Sequence, residues 1–165
     1  MPGFELINNK EKKAVEKIFS EGGILFAHGW DSIRKKYHVR DFEKNLSEYF
    51  GNKYTQVVSS GTAALKISLK AMGVKPGDEV ITQSFNFIAT IEAIIDVGAK
   101  PIMVNVDKNL HMDFHELSKK ISKKTKVIIP VHMLGQPCDM NKLNKVVGKK
   151  KIKILEDNCE AIGSK

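Results

Sequence analysis

From residue 54 onward the sequence alternates between two kinds of segment. Short runs rich in apolar and β-branched residues stand at 54–59, 79–82, 101–106, 127–131 and 152–155. Between them, 62–72, 87–97, 115–121 and 140–147 carry apolar residues at helical spacing. Turn signals separate the segments: Val74-Lys75-Pro76-Gly77-Asp78 after one helix and Gly98 after the next. Strand and helix recur about every 25 residues, a rhythm that predicts an α/β fold with a mostly parallel sheet and helices on both faces. Right-handed crossovers follow as the default. In such sheets ligands bind beyond the carboxyl ends of the strands. That rule selects five places: 59–62, 83–87, Asp107, 132–136 and 157–160.

The first 50 residues read differently. Ala14, Val15, Ile18 and Phe19 make 9–20 an amphipathic helix, and Gly22, Gly23 and Gly29 mark a loop. A second helix at 39–49 carries Phe42, Leu46 and Phe50 on one face and ends at Gly51. The expected organisation is an N-terminal helical segment, 1–50, followed by an α/β segment, 51–165. At 165 residues, 42% of them hydrophobic, the chain is one domain or part of one.

Charge narrows the partners. Lys and Arg number 27 against 19 Asp and Glu, a formal +8, but Arg34 and Arg40 are the only arginines. The lysines are scattered, with no interleaved aromatics and no zinc-finger spacing, so nucleic acid is not the expected partner. A basic surface also suits phosphorylated small molecules. No apolar stretch approaches a membrane span. Cys138 and Cys159 form no CxxC pair, and Met1 is not followed by a signal-peptide core, so the expected setting is cytoplasmic with reduced thiols.

At the strand ends the chemistry is specific. Ser59-Ser60-Gly61-Thr62 joins a strand to a helix, where Gly61 allows a tight turn or a close backbone approach and the first helical N–H groups form an anion site. An ordinary Ser or Thr cap explains the same residues. Neither GxxxxGK[ST] nor GxGxxG is present. Phe85 and Phe87 either offer a flat face to a planar ligand or pack in the core. His132 is either a base or a histidine satisfied by backbone groups. His132, Cys138 and Cys159 lack the spacing of a metal site. Asp157 follows Ile154-Leu155, where a carboxylate is costly to bury unless a cation or hydrogen-bond donors meet it. A helix cap at Asp157, with Glu160 completing a capping box, is the alternative.

Seven pieces in order resemble the DegT/DnrJ/EryC1/StrS aminotransferases, which act on nucleotide-linked keto-sugars with pyridoxal 5′-phosphate. They are VVSSGTAAL (57–65), PGDEVI (76–81), FNFIAT (85–90), GAKP (98–101), TKVIIPVH (125–132), GQPCDM (135–140) and Glu156-Asp157. The resemblance implies the large domain of a fold-type-I pyridoxal-phosphate transferase. It implies that Ser60, Gly61 and Thr62 hold the cofactor phosphate and that Phe87 stacks on the pyridine ring. Asp157 then pairs with the ring nitrogen, and Glu160 lies near the ring 3-hydroxyl. It further implies a nucleotide-sugar substrate, glutamate as amino donor, a homodimer at full length, and a place in deoxyaminosugar or cell-surface polysaccharide synthesis.

Three departures accompany it. Asn105 stands where the family usually has Asp. Glu156-Asp157-Asn158-Cys159-Glu160 also occurs in relatives that dehydrate sugars at carbon 3. The Schiff-base lysine of the family belongs to a later segment, and Lys165 does not match it, so the chain is expected to be the N-terminal part of a family member and inactive alone. The alternatives are a 3-dehydratase of the same family, or a non-catalytic truncated or regulatory relative.

Overall fold

The structure, a computed structural model, describes residues 4–27, 29–34 and 36–164. Lys165, and with it the expectation about that residue, lies outside the described residues. The chain divides into two compact units, one within 1–57 and one within 58–165.

In the first unit a 3-10 turn at Phe4–Leu6 precedes helix α1 (Asn9–Ser20). A capping box starts α1: the Asn8 side chain accepts from Lys10 N at 3.0 Å, and the Glu11 carboxylate accepts from Asn8 N at 2.7 Å. Helix α2 (His38–Phe50) ends at Gly51, whose φ of +68° closes the helix in the left-handed conformation.

Residues 54–59, expected to be a strand, form none. A strand needs a neighbour to take its backbone groups. Here the Glu43 carboxylate of α2 takes the Val57 N–H at 2.8 Å and the Gln56 amide at 2.9 Å, so this stretch is tied to a helix instead.

The second unit holds the alternation. Helix α3 (Gly61–Ala71) leads into β1 (Glu79–Gln83), α4 (Ile88–Asp96), β2 (Lys100–Val104), α5 (Phe114–Lys120), β3 (Thr125–Ile129), α6 (Met140–Val147) and β4 (Lys153–Ile154). The four strands are parallel, in the order β2-β1-β3-β4.

Successive residues of a strand face opposite sides, and both sides here are buried. Val80, Val127 and Ile129 pack with Leu65 and Leu69 of α3 and Ala93 and Ile94 of α4. Ile81 and Ile128 pack on the other face with Leu117 of α5 and Leu143 of α6. The connection from β1 to β2 runs one way across the sheet. Those from β2 to β3 and from β3 to β4 run the other way, over the opposite face. The chain therefore reverses direction between β1 and β3. Beyond the carboxyl ends of strands at such a reversal, the diverging loops leave a crevice.

The strands end for local reasons. β3 stops at Ile129 because Pro130 has no N–H for the ladder. β2 stops at Val104, short of the expected residue 106, because the Glu116 carboxylate takes the Asn105 N–H at 2.7 Å.

Candidate functional site

The crevice is built around Asp157. Its backbone continues the alignment of β3 with β4: Asp157 N donates to Pro130 O at 3.0 Å, and His132 N donates to Asp157 O at 3.1 Å. The side chain is 6% exposed. Oδ2 accepts from the Thr90 hydroxyl at 3.1 Å, and Oδ1 accepts from Cys159 N at 3.3 Å. No helix follows among the described residues; 158–164 is a series of turns. The capping-box alternative therefore does not hold. Glu160 instead reaches across the loops, its carboxylate accepting from Leu134 N at 2.9 Å.

Helix α3 points its start into the same place. Ser60 caps it, its hydroxyl accepting from Ala63 N at 3.1 Å and its carbonyl from Ala64 N at 3.0 Å. No acceptor among the described residues meets the N–H of Gly61 or Thr62, or the Thr62 hydroxyl. These free donors, with the helix dipole behind them, favour an anion. The tight-turn role expected of Gly61 is not needed. Its φ is not positive, and a Cβ there would meet Cys159 Sγ at 3.6 Å, an ordinary contact. Only the close-approach role remains for it.

Phe87 precedes α4 in extended conformation and is 75% exposed. Phe85 is also exposed, so the core-packing alternative fails for both rings. Gly61, Thr62, Phe87, Thr90, Asp157 and Glu160 all line one cleft of about 250 Å³. Of the residues to which the resemblance gives a cofactor role, Ser60 alone is not in its wall; it caps the start of α3.

The other strand-end candidates serve the scaffold. His132 is buried, and its Nδ1 accepts from Cys138 N at 2.8 Å. Its proton therefore sits on Nε2, which donates to Glu156 at 3.2 Å. That satisfied ring is not a free base. Asp107 folds back on its own loop, accepting from Asn109 N and His111 N. No group of three or more His, Cys, Asp or Glu among the described residues is placed to hold a metal.

Burial pushes the Cys138 thiol up to about 11, and the charges of Asp139, Glu156 and Asp107 push the same way. Cys159 is also raised to about 11, first by desolvation of its sulfur and then by its hydrogen bond to Asp157.

Two residues lay within segments that the sequence marks but had no role assigned. Thr90 lies in FNFIAT, three positions after Phe87, which puts both on one face of the first turn of α4. Gln83 is fully buried at the end of β1. Its amide nitrogen donates to Phe85 O and Leu110 O, and its oxygen accepts from Val131 N at 3.2 Å. One side chain thus joins three loops around the crevice. A polar residue closing an apolar strand was the available signal.

A doubly wound parallel sheet with such a crevice serves many enzymes, the fold-type-I pyridoxal-phosphate enzymes among them. The family model described as the DegT/DnrJ/EryC1/StrS aminotransferase family matches residues 11–165, and the chain belongs to that family. It is 36% identical over 137 residues to GDP-perosamine synthase of Vibrio cholerae, a match covering 82% of this chain and 37% of that protein.

Among solved structures, NtdA of Bacillus subtilis, with its cofactor PMP bound, matches with a TM-score of 0.84 and 34% identity, over 96% of this chain and 35% of that one. The E. coli GDP-4-keto-6-deoxy-D-mannose-3-dehydratase, with bound hydrated PLP, matches with a TM-score of 0.82 and 29% identity, over 95% of this chain and 40% of that one. A structure of GDP-4-keto-6-deoxymannose-3-dehydratase with a trapped PLP-glutamate geminal diamine matches with the same figures. The chain therefore spans well under half the length of these relatives. The family's cofactor is pyridoxal phosphate. No helix among the described residues is long and apolar enough to cross a membrane.

Proposed function

We propose that the protein is a pyridoxal-phosphate-dependent aminotransferase that transfers the amino group of glutamate to a nucleotide-linked keto-sugar. The observation that carries this reading is the buried Asp157, held by Thr90 and the Cys159 N–H in the cleft that also contains the free donors of Gly61 and Thr62. An anion site, an exposed aromatic ring and a buried carboxylate fit a planar cationic ring that carries a phosphate.

In this reading the Gly61 and Thr62 N–H groups and the Thr62 hydroxyl hold the phosphate, with Ser60 fixing the helix start. Phe87 stacks on the ring. Asp157 accepts the ring N–H, and its charge keeps that nitrogen protonated. Glu160, steadied by Leu134 N, faces the ring's 3-hydroxyl. The cofactor supplies an electron sink for the pair released at a substrate carbon.

Residues 1–50 form a helical N-terminal segment and 51–165 the first part of the large domain. The whole protein is a cytoplasmic homodimer serving deoxyaminosugar or cell-surface polysaccharide synthesis. The GDP-sugar relatives support the substrate class, and the glutamate adduct trapped on one of them supports the donor.

No lysine among the described residues lines the cleft. The 165-residue chain alone is therefore expected to bind the cofactor without turning substrate over. The test is to supply the full-length protein with pyridoxal phosphate, glutamate and a GDP-linked 4-keto-6-deoxysugar. An amino sugar formed in step with 2-oxoglutarate supports the proposal, and its absence across nucleotide-linked keto-sugars contradicts it.

The similarity to a 3-dehydratase, with Glu160 in the cleft, supports a second reading, sugar 3-dehydration. Its product is a 3-deoxysugar that retains no nitrogen.

A further inference from the structure

We infer that Thr90 is a positioning residue whose hydroxyl holds the Asp157 carboxylate oriented toward the ring nitrogen of the cofactor. This rests on the role proposed above for Asp157.

Thr90 is 1% exposed, in the first turn of α4, and its Oγ1 lies 3.1 Å from Asp157 Oδ2. An ionised carboxylate only accepts, so the hydroxyl donates. Thr90 is adjacent to the apolar residue Ala89 and one turn from Ala93, and both alanines are buried. A hydroxyl in such a place is costly unless it has a partner. Asp157 is that partner, 67 residues away in the sequence.

The same bond matters more to the carboxylate. A buried carboxylate is costly unless donors meet it and fix its direction. Thr90 and the Cys159 N–H give each carboxylate oxygen one donor, beside the Cys159 thiol. A carboxylate offers about four acceptor sites, so room for another donor remains. The two fixed bonds also set the plane of the carboxylate, a torsion that is otherwise broad.

Geometry adds a second consequence. Phe87 and Thr90 are three residues apart on one helical turn, and the Thr90 N–H donates to Phe87 O at 3.2 Å. The ring that would cover the cofactor and the hydroxyl that sets its charge partner move as one piece.

The test uses the full-length protein and pyridoxamine 5′-phosphate labelled with ¹⁵N at the ring nitrogen, read by titration for affinity and by the ¹⁵N shift for ring protonation. Thr90→Val keeps the shape and removes the hydroxyl. It is expected to weaken binding roughly tenfold and to move the shift toward the neutral ring. Thr90→Ser is expected to behave as the wild type. Asp157→Asn is expected to lose at least as much as Thr90→Val.

Wild-type affinity and shift in Thr90→Val, with loss in Asp157→Asn, overturns the role of Thr90 and leaves that of Asp157 standing. Wild-type behaviour of Asp157→Asn overturns both. Should Thr90→Val not fold, Thr90→Ala replaces it. Ala and Ser differ there by the hydroxyl alone, so equal behaviour of the two overturns the inference.

Discussion

Asp157 and His132 lie side by side at two strand ends, and both are buried, yet their surroundings divide them. His132 has a partner for each ring nitrogen, so its chemistry is spent on joining Cys138 N to Glu156. Truncation by His132→Ala leaves the buried Cys138 N–H unmatched and opens a void. We expect it to lower unfolding free energy by about 2–3 kcal/mol in a urea titration. His132→Gln, which can still accept, is expected to recover part of that loss. A stable His132→Ala variant without cofactor-dependent activity would instead make His132 a participant in the chemistry.

Cys159 gives a second expectation. With its pKa raised to about 11, its thiolate fraction at pH 8 is roughly a thousandth, against about a quarter for an ordinary thiol. Dithionitrobenzoate should therefore modify it roughly a hundredfold more slowly than free cysteine despite its exposure. Asp157→Asn should speed the reaction, because the neighbouring charge disfavours a second anion.

That Asp157, Gly61, Thr62 and Phe87 stand at strand ends or helix starts was readable from sequence, because local order indicates such positions, and the structure places all four in one cleft. The roles of Thr90 and Gln83 were not readable, because their meaning lies in partners dozens of residues away. The tautomer of His132 was hidden for the same reason.

Elements start where a cap makes the boundary sharp. The observed bounds of α1 and α6 match expectation to the residue, and those of α3 and α5 lie one residue earlier; all four begin at side-chain caps, Asn8, Asp139, Ser60 and Asp113. Strand limits drifted by one to two residues because ladders end where a neighbour ends, which one segment does not record. Residues 54–59 failed outright: β propensity was present, but the partner was a carboxylate on α2.

The caps carry an acid sensitivity. Backbone N–H groups hold the Glu11, Asp113 and Asp139 carboxyls below the usual carboxylate range. Their folded pKa values are depressed, so their stabilising effect is present above the unfolded pKa and fades as pH falls through the folded one. Amide signals at the starts of α1, α5 and α6 should exchange faster in that acid window. Signals inside β1 and β3 should not.

Gly98 tests the turn between α4 and β2. Its φ is +80°, and a Cβ would stand 2.9 Å from Pro76 Cγ. Gly98→Ala is expected to cost about 1–3 kcal/mol of stability. Gly61→Ala, with room for its Cβ, should leave stability unchanged or slightly raised and weaken the cofactor alone.

At the scale of the molecule, the family, the fold and the cofactor were legible because seven short motifs fell in family order along an α/β rhythm. The choice between amino transfer and dehydration, and the particular sugar, were not legible: no lysine among the described residues lines the cleft, and the chain covers only 37% of GDP-perosamine synthase. Apolar side chains such as Phe26, Trp30, Ile33, Phe42 and Phe50 are exposed in the first unit, and β4 is a two-residue edge in the second. Such surfaces favour association. The 165-residue chain by itself is expected to self-associate in light scattering, and a monodisperse monomer with a sharp melt would contradict that.

The central claim is that this cleft binds pyridoxal phosphate with Asp157 on the ring nitrogen. A crystal structure of the full-length protein with pyridoxamine 5′-phosphate tests it most directly. The expected result is an Asp157 oxygen about 2.7–2.9 Å from the ring nitrogen, with the phosphate on the N–H groups of Gly61 and Thr62. A ring nitrogen facing solvent, or a phosphate bound away from the start of α3, would contradict it.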